Sequence, residues 1–287
     1  MSDTSAADAI RRAVAASVDR LVRHNPVVRE GSDPEGVHQA RVATRRLRSD
    51  LRTFSPMLEP RWSQGLRDEL RDIAGLLGAV RDADVLLARL RTAAGALPDA
   101  DQPAAHALLD DLAATRATDR GKLLAAMDAR PYATLLDDLR RAAEDPHTTM
   151  EAEQPAHLVL PPLAARPWRR LRRGVAGLGD DPPDAALHEV RILAKRARYA
   201  AEAVAPVAGP EAGAFARAVA RLQEVLGDHH DAVVAADWLR GAAERHPASA
   251  FVAGTLAGLE RAEAERLRVR WPAAWKAASR KRLRDWM

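Results

Sequence analysis

Apolar residues recur at intervals of three and four along nearly the whole chain, the spacing of one face of an α-helix. Alanine and leucine dominate these positions, and β-branched and aromatic residues are few, which again favours helix. The pattern predicts helices at about 5–24, 34–55, 60–77, 79–96, 102–129 and 131–143. A second series follows at about 162–178, 184–205, 210–226, 228–246, 248–270 and 273–285. Proline and glycine mark most breaks, with Gly78 and Gly227 read as breaks of this kind. Asp33 before Pro34 has the form of an N-cap followed by proline in the first turn. Between the two series lies "EDPHTTMEAEQPAHLVLPPLAARP", with five prolines and little periodicity. The expected fold class is all-α. A first helical bundle spans 5–143, a Pro-rich linker 144–161 and a second bundle 162–285.

The two series match in order. At an offset of 150, His38 falls on His188, Arg41 on Arg191, Arg45 on Lys195, Arg46 on Arg196 and Arg48 on Arg198. Upstream, Arg20 falls on Arg170 and Arg23 on Arg173. At an offset of 149, "LGAVRDADV" (77–85) meets "LGDHHDAVV" (226–234). Shared order across two halves implies duplication, with about four to six helices per bundle and a pseudo-twofold axis between them.

The repeated helix carries an unusual charge pattern. A helix turns about 100° per residue, so His38, Arg41, Arg45, Arg48 and Arg52 share an arc of about 80° along roughly 21 Å. Val37, Ala40, Thr44, Leu47, Leu51 and Phe54 form a separate core-facing stripe beside it. His188, Arg191, Lys195 and Arg198 repeat the basic stripe, with Glu202 where the first copy has Arg52. Arg46 and Arg196 fall outside the arc. Like charges at these spacings cost a helix about 0.2–0.5 kcal/mol per pair, so something must offset them. One answer is a structural ion-pair network with Asp82, Asp84, Asp228 or Asp231. The other is an external anion, favoured by the lack of acids at i±4 within the first stripe.

Composition narrows the partners. Net charge is only +4, so clustering rather than total charge carries the signal. With no cysteine, disulfides and thiolate chemistry are excluded. The N-terminus lacks the apolar core of a signal peptide, and no apolar run is long enough to span a bilayer. A cytoplasmic protein without membrane contact is the expectation. "RPWRRLRR" (166–173) adds five arginines, and Arg20, Arg23, Arg170 and Arg173 are expected to face the same cleft as the histidine helices. The basic tail "WKAASRKRLRDW" (275–286) reads as a solvated helix whose tryptophans dock on the bundle. Arginine forks suit phosphate oxygens, and a line of them suits a polymer of regularly spaced charge. Aromatics are only 4% of the chain, and Tyr199 alone interleaves the stripes. Base-stacking recognition of single strands is therefore disfavoured.

The motif His-x-x-Arg-x-x-x-(Arg/Lys)-Arg-x-x-Arg, present twice and followed each time by Leu-Gly-x-x-(Arg/His)-Asp, resembles the CHAD (conserved histidine α-helical domain) family. "LHEVRILAKRARYAAEAV" is an especially close match, and the resemblance runs over about 5–285. It implies one domain of two pseudo-symmetric bundles with a basic central channel or surface. It also implies binding of inorganic polyphosphate and association with polyphosphate granules. Carried over by position, the binding residues are His38, Arg41, Arg45, Arg48, His188, Arg191, Lys195 and Arg198. The repeat adds Arg20, Arg23, Arg170 and Arg173. Some members carry a triphosphate-tunnel enzyme domain, for which this chain has neither room nor a β-rich segment.

His38 and His188 read as phosphate-facing donors, as buried structural residues, or as metal ligands or phosphoacceptors. "DHHD" (228–231) is a poor metal site, because adjacent His229 and His230 point to different faces. Asp82 and Asp231 are expected to cap or to pair with core arginines. Walker, nucleophile-elbow and zinc-protease motifs are all missing. The chain is accordingly expected to be no enzyme, to need no metal or cofactor, and to bind polyphosphate or another polyanion. RNA or DNA binding, a polyphosphate hydrolase or transferase, and an internally paired scaffold are the competing readings.

Overall fold

The computed structural model describes residues 4–31 and 33–287, and among them the fold is all-α. The helices are α1 (Ala6–Glu30), α2 (Pro34–Thr53), α3 (Pro60–Ala94), α4 (Gln102–Asp128) and α5 (Arg130–Glu144). They continue as α6 (Ala156–Val159), α7 (Ala165–Ala176), α8 (Asp184–Ala208), α9 (Pro210–Arg245), α10 (Ala250–Arg268) and α11 (Trp271–Ala278). No strand forms among the described residues; Ser5–Pro155 and Leu58–Thr148 make isolated bridges.

The start of α2 follows its sequence signal. The Asp33 side chain accepts from the Glu35 amide at 2.8 Å, and Pro34 occupies the first turn, where its missing N–H costs nothing. At the other end of the incoming helix, α1 runs past Pro26 to Glu30. Gly31 closes it in the left-handed region (φ 73°), with its N–H donating to the Val27 carbonyl at 3.0 Å.

The two expected breaks at Gly78 and Gly227 do not exist. Residues 60–94 form one helix and residues 210–245 another, with both glycines inside. Neither glycine takes a positive φ, so neither makes a turn. The Arg41 guanidinium of α2 crosses α3 at Gly78, where a Cβ would sit 3.9 Å from Nε. Arg191 of α8 crosses α9 at Gly227, where the distance would be 3.4 Å. Glycine costs a helix about 1 kcal/mol relative to alanine, a small penalty within helices of 35 and 36 residues.

Apolar side chains gather in three principal clusters. The first joins α1, α2, the first half of α3 and α5 around Ile10, Leu21, Leu47, Leu51, Phe54 and Leu70. It also takes in Ala152, Ala156 and Leu160, so the Pro-rich segment is packed against this core, and Ala200 and Val204 from α8. The second joins α7, α8 and the first half of α9 around Leu171, Val190, Phe215 and Leu222. Trp168 stacks on Trp275 at 5.4 Å and meets Phe215 edge-on, which docks the C-terminal segment. A third cluster draws on both halves of the sequence, with Leu86 and Leu90 of α3, Leu108 of α4, Leu239 of α9 and Leu256 of α10. Helices α2 and α8 pack directly against each other, and this contact positions the basic residues.

Candidate functional site

Where α2 meets α8, a furrow of about 170 Å³ is lined by Arg45, Arg48, Ser49, Arg52, Ile192, Lys195, Arg196 and Tyr199. It holds no carboxylate. The apolar stripes of both helices turn into the cores, burying Val37, Leu47 and Leu51 on one side and Leu187, Val190 and Ala194 on the other. The adjoining basic stripes are thereby forced toward each other. Burial of one face dictates this convergence, and the cations follow because they sit beside that face.

The side chains are arranged around Tyr199, which is itself buried. Arg45 lies 5.3 Å and Arg198 4.6 Å from its ring centroid, so one ring takes two guanidinium contacts. Nε of Arg45, Arg48 and Arg191 and the Tyr199 hydroxyl are all buried without a hydrogen-bond partner. Such groups are available to a water or to an anion that enters the furrow.

Electrostatics carries the same message. Burial lowers the Lys195 ammonium to about 7, assisted by Arg191, Arg45 and Arg41 and opposed by Asp231. Arg45 is also pushed down, first by burial, with Arg41, Arg198 and Arg191 adding to it and Tyr199 opposing. The histidines lie at the ends of this group. His38 is lowered by burial, then by Arg81, with Arg45 and Arg41 adding and Glu35 opposing; its Nδ1 is buried and unpartnered. His188 is lowered by burial, then by Arg191 and Lys195. Its Nδ1 lies 3.1 Å from Nδ1 of His230, which is held at about 4 by burial and then by His188. Both histidines are thus neutral at pH 7, and each can still offer one N–H.

Internal pairing covers part of the stripe. Arg41 reaches Asp82 at 3.1 Å, but Asp82 is largely exposed rather than in the core. Arg198 meets Glu202 at 3.3 Å on its own helix. Asp231 feels Arg191 and Arg89, yet burial keeps its carboxyl above the usual range. Asp84 pairs with Arg116, away from the stripe.

The flanking residues divide. Arg20 lines a larger cavity of about 770 Å³ that opens beside Arg45, Arg198 and Tyr199 and also contains Arg12, Arg46, Asp50 and Glu202. Arg170 lines a cleft with Arg52, Arg166 and Arg196. Arg23 is exposed and pairs with Asp19 one turn away. Arg173 is exposed, its Nε 3.4 Å from the Arg169 carbonyl. Helical spacing placed Arg23 and Arg173 on the right helices but did not bring them to the furrow. Arg196 is the opposite case: it lies outside the 80° arc yet lines the furrow, because α2 crosses α8 at an angle that a single-helix projection does not contain. His230 also escaped the sequence reading. Its spacing to His229 was uninformative, since its partner is on another helix.

Among the described residues, no group of three or more His, Asp or Glu is placed to hold a metal ion. No helix of the described residues is long and apolar enough to cross a membrane.

A family model described as CHAD domain matches residues 12–240. Two uncharacterised proteins of Mycobacterium tuberculosis, MT2285 and Rv2226, are each 32% identical to the chain over 242 residues. The matched part is 81% of this chain but only 45% of theirs, so the chain spans about half the length of these relatives. PptA from Streptomyces chartreusis superposes with a TM-score of 0.79 at 28% identity, over 95% of this chain and 100% of that one. The crystal structure of the CHAD domain from the plant Ricinus communis superposes with a TM-score of 0.76 at 26% identity, over 96% of this chain and 92% of that one. With the family model covering most of the sequence and the fold shared from end to end, the chain belongs to the CHAD domain family.

Proposed function

We propose that this chain binds inorganic polyphosphate, without catalysis, along the furrow between α2 and α8. One observation carries the reading: Arg45 and Lys195 face each other, half-buried, in a furrow that holds no carboxylate. Such an arrangement is unfavourable for the free protein and becomes favourable when an anion fills it. Arg41, Arg48, Arg191 and Arg198 extend the cationic line on both sides, and His38 and His188 supply neutral donors at its ends. A linear polyanion with an oxyanion at every repeat matches this line better than a single phosphate does. Binding is then dominated by counterion release and falls steeply with salt.

Nucleic acid is the competing ligand, since the same cations would take a sugar–phosphate backbone. Tyr199 is buried beneath Arg45 and Arg198 rather than offered to a base, which favours a polyanion without bases. Hydrolase or transferase action on the same polymer is the other competing reading, and release of orthophosphate would support it. The expected cellular setting is the cytoplasm, at polyphosphate granules. The test is a titration with long-chain polyphosphate at several salt concentrations, with RNA and DNA as competitors. Tight, salt-steep binding that nucleic acid fails to displace, with no orthophosphate released, is the expected result. Equal displacement by RNA overturns the choice of ligand.

A further inference from the structure

The furrow has two sides, and they are not alike. At the offset of 150, Arg46 corresponds to Arg196 and Arg52 to Glu202. On one side Arg46 is neutralised: it bonds to Glu202 and lies 3.2 Å from the buried Asp50, which also meets Ser17. That side opens into the large cavity, whose cations therefore have carboxylates among them. On the other side an arginine stands where the acid would be. Arg52 and Arg196 meet Arg166 and Arg170 of α7 in a cleft of about 230 Å³ that contains no Asp or Glu. Ser49, Thr53 and Ser55 add hydroxyl donors to its wall. Arg52 is lowered to about 10, by partial burial first and then by Arg196, Arg67, Arg48 and Arg170. The charged neighbours that act on it most strongly are all cations.

Ser49, Arg52 and Arg196 line both this cleft and the furrow, so the two spaces are continuous. The cleft is smaller than the roughly 300–1,000 Å³ of drug-sized ligand pockets, and its polar lining is made of donors. Guanidinium forks from two directions suit the non-bridging oxygens of adjacent phosphoryl groups. We propose that the Arg52–Arg166–Arg170–Arg196 cleft is a second anion subsite for a compact condensed phosphate, so that a polyphosphate chain in the furrow leaves by this side and not by the Arg46–Glu202 side. The ligand chemistry is a di- or triphosphate unit, either free or at the end of a longer chain. The directional part rests on the furrow reading; the subsite itself does not.

The experiment titrates the full chain with tripolyphosphate and, separately, with long-chain polyphosphate, by calorimetry at low salt. It compares the wild type, Arg52→Gln/Arg196→Gln and Arg45→Gln/Lys195→Gln, each checked by circular dichroism and thermal unfolding. Because Arg52 and Arg196 are exposed, their replacement is not expected to unfold the chain. The cleft variant should lose tripolyphosphate binding roughly tenfold or more, as two charge-assisted contacts disappear. The furrow variant should keep tripolyphosphate binding within about threefold while losing long-chain binding. Tripolyphosphate binding that is absent in the wild type, or unchanged in the cleft variant, overturns the subsite. Loss of long-chain binding only in the cleft variant overturns the furrow reading and leaves the subsite standing. To test the direction of exit, Glu202→Gln, which frees Arg198 as well as Arg46, should raise long-chain affinity by no more than about threefold, and a gain matching the cleft variant's loss overturns it.

Discussion

Arginine is dense at two places in this molecule, with opposite consequences. Around Asp184, at the start of α8, Arg261 reaches Oδ2 at 3.0 Å, Arg268 bonds to Oδ1, and His229 lies at 3.2 Å. Arg268 also meets Asp181 at 3.0 Å. Burial works to raise the Asp184 carboxyl, but Arg261, Arg268 and His229 outweigh it and hold it below the usual carboxylate range. That hub ties α8 to α9 and α10. In the α2/α8 furrow no carboxylate lines the space, and Arg41 and Arg191 add to the burial that lowers Lys195 and Arg45. The same residue type serves structure where a carboxylate is built in. It is left in want of an anion where none is. Local pairing, not the number of arginines, separates the two.

The largest effect is expected at the furrow. Arg45→Glu/Lys195→Glu should weaken polyphosphate binding by roughly a hundredfold or more, since each charge-assisted contact contributes about 1.5–3 kcal/mol. Its thermal stability at low salt should be unchanged or higher, because mutual repulsion is relieved. A large fall in stability with binding intact would reverse the assignment of the two regions. Next comes the hub. Asp184→Ala leaves Arg261 and Arg268 without their carboxylate and should cost about 2 kcal/mol in urea unfolding. Polyphosphate affinity should stay within about twofold of wild type, the sites being independent.

A smaller effect concerns pH. Lys195 has a folded value near 7, below its ordinary value, so between about 7 and the ordinary lysine range the unfolded chain holds the extra proton. This group therefore makes stability rise with pH across that window. Ligand affinity runs the other way, because deprotonation removes a binding charge. Polyphosphate affinity should fall roughly three- to tenfold between pH 6 and 8.5, and Lys195→Arg should flatten the profile. An identical slope in the variant would remove Lys195 from the site. The smallest effect belongs to Arg23→Glu/Arg173→Glu. These exposed residues sit outside the furrow, and affinity should drop by no more than about threefold through the general field.

The sequence made α2 and α8 legible because burial of one stripe is a single-helix property. Val37, Ala40, Leu47 and Leu51 and their counterparts in α8 are buried as their spacing requires. The N-cap at Asp33 and the all-α class were legible for the same local reason. The continuity of α3 and α9 was not, because Gly78 and Gly227 look like breaks, whereas the cost of a glycine, about 1 kcal/mol, is outweighed once a long helix is packed. Nor was the placement of Arg196, His230, Arg23 and Arg173. Each depends on how two helices cross, and a periodicity carries no information about crossing. The third core, shared by α3, α4, α9 and α10, was hidden in the same way.

Lysine gives the most direct test of the furrow as an anion site. The chain has four lysines, Lys122, Lys195, Lys276 and Lys281, so side-chain-labelled lysine can be followed by NMR and Lys195 assigned from Lys195→Arg. In the free protein the Lys195 resonance should titrate near pH 7, and saturating polyphosphate should move its midpoint up toward the ordinary lysine value. A midpoint that stays where it is when polyphosphate is bound would mean that the polymer lies elsewhere and that the furrow is not its site.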